Sequence, residues 1–176
     1  MPKLRVYDSK QEAAAAAAEF ILGKLGEALE SARSATLAVS GGSTPELMFE
    51  VMAAQEFEWS KLQLFFVDER PVPPGHPESN FTMTDRSLCR PVGLEAEQVH
   101  RIEGEREPAV AAGLYADDLV KSFALAEDEA PRFDVLHLGM GDDAHTASLF
   151  PGEPLILDRS GLVGSVYTSV KKSYRV

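Results

Sequence analysis

The chain has 176 residues, which is the length of about one ordinary domain. Hydrophobic residues make up 44% and charged residues 26% of the chain, which excludes an intrinsically disordered protein. With 28 acidic against 17 basic residues, the net charge is −11, so we expect no nucleic-acid partner.

Cys89 is the lone cysteine of the sequence. It has no partner for an internal disulfide, which favours a reducing, cytoplasmic setting. The first residues lack the apolar run of a secretory signal. Because no apolar segment approaches the roughly 20 residues that span a bilayer, we expect no membrane partner.

Helix-like and strand-like segments alternate along the chain. Ser9 and Glu12 form a capping box that predicts a helix through the alanine run toward Leu29. Apolar runs predict strands, and amphipathic or capped segments predict helices. In chain order we expect a strand at 35–39, a helix at 46–54, a strand at 62–67, a helix from Ser79 to about Leu88, a short strand at 99–102, a helix at 108–125, a strand at 133–138, a short helix at 143–149 and strand propensity at 162–170.

This alternation predicts a single α/β domain over residues 1–176. Strands that are apolar on both faces are typical of a mostly parallel, Rossmann-like sheet in three layers, with helices on both faces. The sequence ends at Val176 in what reads as the approach to a strand. We therefore expect either a terminal strand that caps the sheet or a fragment whose C-terminal part is missing.

Three polar motifs follow the three clearest strands, where ligands of open α/β sheets bind. The first is Ser-Gly-Gly-Ser-Thr-Pro at residues 40–45, directly before a helix. Backbone amides, hydroxyl groups and the helix dipole favour a phosphate there. An ordinary glycine-rich turn is the alternative, because the motif matches neither common nucleotide-binding fingerprint. The predicted phosphate-binding residues are Ser40, Gly41, Gly42, Ser43 and Thr44.

The second motif is Asp68-Glu69-Arg70, with Asn80 downstream. The guanidinium of Arg70 offers paired donors that suit a phosphate. Asp68 is expected to orient Arg70 or a substrate hydroxyl, and Asn80 to add a polar contact. The alternatives are a solvated charge run for the motif and helix capping for Ser79.

The third motif starts with Gly-Met-Gly at 139–141 and continues to Pro151, with His145 inside the short predicted helix. A histidine is the natural general base near neutral pH, and Asp143 lies close enough to hold one ring nitrogen. The alternative is a packed or solvated histidine. We expect His137 to be a core or sheet-face residue. No cysteine or histidine set has metal-ligand spacing, so we predict no metal site.

Together the three motifs resemble the 6-phosphogluconolactonase family, within the glucosamine/galactosamine-6-phosphate isomerase superfamily. The matching residues lie at 40–45, at 67–70 with Ser79-Asn80, and at 139–151. The resemblance implies hydrolysis of 6-phospho-D-glucono-1,5-lactone in the pentose phosphate pathway. It also implies a small sugar phosphate as the bound partner and no metal or organic cofactor. We expect a monomer or a small homo-oligomer.

The sequence departs from the family pattern in two ways. Ala144 stands where the family usually has glycine before the histidine. Since alanine avoids positive φ, we expect a negative φ at this position. The family also continues beyond the counterpart of Val176 and carries there a lysine thought to help hold the phosphate, so the phosphate is expected to rest on residues 40–44 and Arg70 alone.

The residues suit general-base hydrolysis. In this hypothesis His145 takes a proton from water as the water attacks C1 of the lactone, and Asp143 sets the imidazole tautomer. Two other functions stay open. One is a glucosamine-6-phosphate deaminase-like isomerase, which shares the glycine-rich loop, and the other is a sugar-phosphate sensor or an inactive fragment.

Overall fold

The computed structural model describes residues 3–169 and 171–176. The predicted first helix forms, and its cap is as expected: the Ser9 hydroxyl accepts a hydrogen bond from the backbone N–H of Glu12 at 3.2 Å. One stripe of this helix is buried, at Ala14, Ala18, Ile21 and Leu25. The spacing of these residues places them on one helical face, which packs into the core.

Four parallel strands form the main sheet in the order β3-β2-β1-β4. The helices and strands, in chain order, are α1 (Lys10–Leu29), β1 (Ala35–Val39), α2 (Ser43–Ala53), β2 (Leu62–Phe66), α3 (Asn80–Thr84), α4 (Arg90–Val92), β3 (Val99–His100), α5 (Pro108–Phe123), β4 (Val135–Leu136), β5 (Val166–Thr168) and β6 (Ser173–Arg175). The strands predicted at 99–102 and 133–138 are thus shorter than expected.

Helices cover both faces of the sheet, which confirms the predicted layers. Successive side chains of β2 point to opposite faces. Phe65 contacts Phe123 of α5, with ring centroids 5.3 Å apart, whereas Phe66 contacts Phe81 of α3 at 6.2 Å. The hydroxyl of Tyr115, from α5, also donates to the carbonyl of Phe66 at 2.7 Å. Helices α1 and α2 pack against each other.

The predicted helix that begins after Ser79 continues through a π-helical turn, Asp85–Cys89, into α4. The Ser79 hydroxyl accepts a hydrogen bond from the backbone N–H of Thr82 at 3.1 Å. Ser79 therefore caps this helix, which was the alternative to a role at the site. Cys89 is buried in the π-helical turn. Burial raises the pKa of its thiol to about 12.

The last strands lie outside the main sheet. β5 and β6 pair in an antiparallel hairpin. The backbone of Val176 then pairs with that of Glu69, just beyond β2, through hydrogen bonds of 2.7 and 3.1 Å. The strand propensity at 162–170 therefore produces a short strand at 166–168. No helix among the described residues is long and apolar enough to cross a bilayer.

Candidate functional site

Residues 40–45, called here the cradle, join β1 to α2. Gly42 has a φ of +124°, a backbone conformation that residues with a side chain rarely adopt. It directly precedes Ser43, the first residue of α2. By helix geometry the amides of Ser43 and Thr44 find no partner inside the helix. Pro45, at the third helical position, has no N–H to satisfy. The helix begins three residues earlier than expected, so the cradle itself forms its first turn.

Two groups support the cradle from below, the buried Asn80 and the half-buried His137. The side chain of Asn80 lies directly against Gly41, where an added Cβ would stand 1.7 Å from Asn80 Oδ1. The backbone N–H of Ser40 donates to Nδ1 of His137 at 3.4 Å. Burial lowers the pKa of His137, which favours the neutral imidazole that can accept this bond. His137 is therefore part of the site, beyond the core role expected for it.

Arg70 lies at the carboxyl end of β2 and faces the same crevice. One terminal nitrogen, Nη1, donates to the carbonyl of Glu78 at 2.7 Å, which fixes the direction of the side chain. Its Nε is buried and has no partner among the residues that the structure describes. The guanidinium thus keeps donors available for an anion.

Glu69, read from the sequence as part of a charge run, is a buried organising residue with an exposed fraction of 2%. Its carboxylate accepts hydrogen bonds from the backbone N–H groups of Arg70, Asn80 and Phe81 and from the Ser79 hydroxyl, at 2.7 to 3.1 Å. Burial raises the pKa of Glu69, and these hydrogen bonds oppose that rise. Glu69 ties the end of β2 to the start of α3.

The Asp68 carboxylate makes its hydrogen bonds away from Arg70, so the first of its two expected roles, orienting Arg70, is not seen, and contact with a substrate hydroxyl stays a prediction. Its Oδ1 accepts from Asn80 Nδ2 at 3.1 Å, and its Oδ2 accepts from the Ser148 hydroxyl at 2.7 Å. Asn80 is only 2% exposed and does not line the crevice. The expected polar contact of Asn80 with a ligand is therefore replaced by contacts to Asp68 and Gly41.

The histidine turn, residues 139–150, is not a helix, and the predicted helix at 143–149 is wrong. The chain folds back instead, with hydrogen bonds from Gly141 N–H to the His145 carbonyl and from Ala144 N–H to the Gly141 carbonyl, both at 2.9 Å. A β-bridge joins Thr146 to Leu149. Ala144 has a φ of +63°, so the expectation of a negative φ is wrong as well. The tight reversal at Gly141 requires the left-handed conformation at Ala144.

The ring of His145 is held on three sides. Nδ1 makes a short hydrogen bond with Asp143 Oδ1. The ring stacks on buried Phe150, with centroids 4.6 Å apart and planes 19° from parallel. A Cβ at Gly141 would lie 2.2 Å from the ring, so only glycine leaves room for it. The hydrogen bond from His145 lowers the pKa of Asp143, which keeps this carboxylate ionised beside the ring.

The cradle, the end of β2 and the histidine turn enclose one crevice of about 490 Å³. Of the residues predicted for the site, the crevice is lined by Ser40, Gly41, Gly42, Ser43, Thr44, Asp68, Arg70 and His145. Asp143 stands behind His145, and Asn80 lies beneath Gly41. Backbone amides, a guanidinium and an imidazole in one crevice are groups that can hold an anion and move a proton.

Sequence reasoning missed four supporting residues: His137, Glu69, Ser148 and Phe150. Ser148 and Phe150 lie inside the third motif, but neither was assigned a role at the site from the sequence. Glu69 carried a usable signal, because an acidic residue between a strand and a capped helix can accept from that helix's first amides. The contact of His137 with Ser40 joins residues 97 positions apart, which local patterns do not reveal.

The structure thus defines an α/β protein with a crevice at the carboxyl edge of a parallel sheet, lined by a helix start, a guanidinium and an imidazole. A family model described as "Glucosamine-6-phosphate isomerases/6-phosphogluconolactonase" matches residues 8–176, and the chain belongs to this family.

Curated relatives carry the lactonase name. The 6-phosphogluconolactonase of Nostoc sp. is 42% identical over 146 residues, covering 82% of this chain and 61% of the relative. That of Treponema pallidum is 37% identical over 153 residues, covering 85% and 63%. This chain therefore spans less than two thirds of either relative's length. The structure of 6-phosphogluconolactonase from Trypanosoma cruzi superposes with a TM-score of 0.87 and 25% identity, covering 99% of this chain and 73% of that one.

Proposed function

We propose that this chain hydrolyses 6-phospho-D-glucono-1,5-lactone to 6-phospho-D-gluconate, the lactone-opening step of the oxidative pentose phosphate pathway. The observation that carries the proposal is the crevice itself, which is lined both by the cradle with Arg70 and by His145, the partner of Asp143. An anion and a general base across one small crevice suit a substrate with a phosphate at one end and an ester at the other.

The phosphate is assigned to the cradle. The free amides of Ser43 and Thr44 point outward from the start of α2, and Arg70 adds charge-assisted hydrogen bonds. The helix dipole adds only about 0.3–1 kcal/mol, or about 2 kcal/mol when partly buried, so directed hydrogen bonds supply most of the affinity. Ser40 and the Ser43 and Thr44 hydroxyl groups provide further polar contacts.

His145 is assigned as the general base. The Asp143 carboxylate accepts a hydrogen bond from Nδ1–H, and this tautomer leaves the lone pair on Nε2 available. Nε2 takes a proton from water as the water oxygen bonds to C1 of the lactone. The C1–ring oxygen bond then breaks, and the same proton passes from Nε2 to the departing oxygen. A lactone carbonyl needs no covalent enzyme nucleophile for this reaction.

The isomerase reaction of the family is the competing assignment. Both curated relatives described above are named as lactonases, which supports lactone hydrolysis for this chain. Ammonia release from glucosamine 6-phosphate separates the two reactions in a direct assay. Binding of 6-phosphogluconate without any turnover of the lactone would favour the inactive sugar-phosphate-binding protein instead.

The test compares the parent chain with His145→Ala on freshly prepared 6-phosphogluconolactone. We expect kcat to fall by about 10²–10⁴-fold while KM changes little, because the base acts on the reacting bond and the cradle is intact. Unphosphorylated gluconolactone serves as a second substrate, for which the parent should show a much higher KM. Equal rates for the parent and His145→Ala would contradict the proposal, as would ammonia release with no lactone hydrolysis.

A further inference from the structure

A buried carboxylate lies between the histidine turn and the cradle. Asp68 is 6% exposed, and each of its side-chain oxygens accepts a hydrogen bond from a different segment, one from α3 and the other from the histidine turn. Oδ2 accepts from the hydroxyl of Ser148 at 2.7 Å, and Ser148 is itself 6% exposed. Oδ1 accepts from Nδ2 of Asn80 at 3.1 Å. Because a buried acceptor left without its donor is costly, both contacts constrain the groups that make them.

On the cradle side the constraint reaches the backbone through Asn80. Its Nδ2 also donates to the carbonyl of Asp68 at 2.9 Å, so the amide group is fixed by both contacts. Its Oδ1 occupies the space that a side chain at residue 41 would fill. Gly41 therefore rests on an amide whose position Asp68 sets.

On the other side the constraint reaches the imidazole through Ser148. This residue lies three positions after His145 and two before Phe150, on whose ring the imidazole stacks. The histidine turn contains no helix or strand of its own. The hydrogen bond from Ser148 to Asp68 therefore joins the histidine turn to the segment just after β2.

We propose that Asp68 is a positioning residue that couples the cradle to the histidine turn and so sets the separation between bound phosphate and base. This inference rests on the proposed function and deepens it. A substrate gripped by its phosphate presents C1 to His145 only when that separation is right. A misplacement of about 1 Å can cost about 10²-fold in rate.

The test truncates the coupling at Ser148 and follows it by two independent readouts. The variant is Ser148→Ala, and the matched control is Ser87→Ala, since Ser87 is also buried and donates to the Met83 carbonyl at 2.8 Å. We expect Ser148→Ala to lower kcat for the phosphorylated lactone about tenfold, the effect of losing one hydrogen bond to a charged group, with KM changed less than about twofold. Ser87→Ala should change neither.

The second readout needs no turnover. In ¹⁵N NMR spectra, Ser148→Ala should shift the Asn80 side-chain amide and the Gly41 backbone amide, which lie on the far side of Asp68, and Ser87→Ala should leave both in place. Shifts without lactone hydrolysis by the parent would support the coupling and contradict the proposed function. An active parent whose Ser148→Ala variant matches Ser87→Ala in kcat, or whose Asn80 and Gly41 signals stay unchanged, would overturn the coupling. Should Ser148→Ala fail to fold, Ser148→Cys keeps a weak donor of similar size and should give smaller effects in the same directions.

Discussion

The cradle takes its shape from the strand before it and the helix behind it, whereas the histidine turn contains neither helix nor strand. In the cradle, backbone geometry supplies the donors, and side chains act as supports. In the histidine turn, side chains and a left-handed alanine create the shape. Two halves of one crevice are therefore built by different means, and they should respond differently to substitution.

Among changes that leave His145 itself in place, the largest effect is expected where the histidine turn depends on one side chain. Asp143→Asn replaces the carboxylate that holds Nδ1 of His145. We expect kcat to fall about 10- to 100-fold, because the imidazole loses the carboxylate that fixes its orientation and its tautomer. Steady-state kinetics with the phosphorylated lactone measure this change in kcat. The matched control is Asp142→Asn, at an exposed neighbour that does not line the crevice. A similar loss in both variants would contradict the account.

In the cradle, the corresponding change is to the backbone. Gly41→Ala places a Cβ against the Asn80 amide and forces that amide or the loop to move. We expect KM for the phosphorylated lactone to rise about tenfold with a smaller change in kcat, as when one charge-assisted hydrogen bond is lost. Gly23→Ala in α1 is the control, because an added Cβ there meets nothing within 4 Å. A kcat defect with unchanged KM would show that the cradle does not bind the phosphate.

Because the backbone of the histidine turn is strained at Ala144, replacing this residue by glycine should stabilise the folded chain. Ala144→Gly relieves a left-handed residue, which costs roughly 1–2 kcal/mol in an L-amino acid, but it also adds unfolded-chain entropy worth about 0.4–1 kcal/mol. The net expectation is about 0.5–1 kcal/mol more free energy of unfolding in urea titrations. Ala15→Gly, at an exposed position in α1, should have the opposite sign, with a loss of about 0.5–1 kcal/mol. If both variants changed the free energy of unfolding in the same direction, the left-handed conformation at Ala144 would be contradicted.

The smallest effect concerns pH and the support beneath the cradle. Burial lowers the pKa of His137, so the unfolded chain binds this proton more readily than the folded chain. The free energy of unfolding should therefore fall as pH drops through the ordinary histidine pKa of about 6.5. His137→Gln removes that contribution. In chemical denaturation, the free energy of unfolding of this variant should therefore decline less than that of the parent between about pH 7.5 and about pH 5.5. His76→Gln is the control variant. If the free energy of unfolding fell equally steeply with decreasing pH for His137→Gln and for the parent, the expected role of His137 would be contradicted.

The same difference explains which parts the sequence could predict. A strand, two glycines and a helix start are contiguous, so the cradle, the parallel sheet and the helices on both faces follow from local patterns. The histidine turn depends on Ser148 meeting Asp68, 80 residues away, and no local pattern contains that contact. The acidic pair before His145 is typical of a helix start, which is why a helix was expected there.

Arg70 and Glu69 show the limit within one motif. The residue types predicted an anion-binding arginine, and Arg70 lies at the crevice. For Glu69 the residue types indicated a contact with the first amides of α3, but whether the loop after β2 brings those amides to the carboxylate depends on the fold.

The most direct test of the account is a crystal structure of the chain with 6-phosphogluconate bound. We predict the phosphate against the amides of Ser43 and Thr44 and the guanidinium of Arg70, with the C1 carboxylate within hydrogen-bonding distance of His145 Nε2. A phosphate seated outside the cradle, or a C1 carboxylate turned away from His145, would contradict the account.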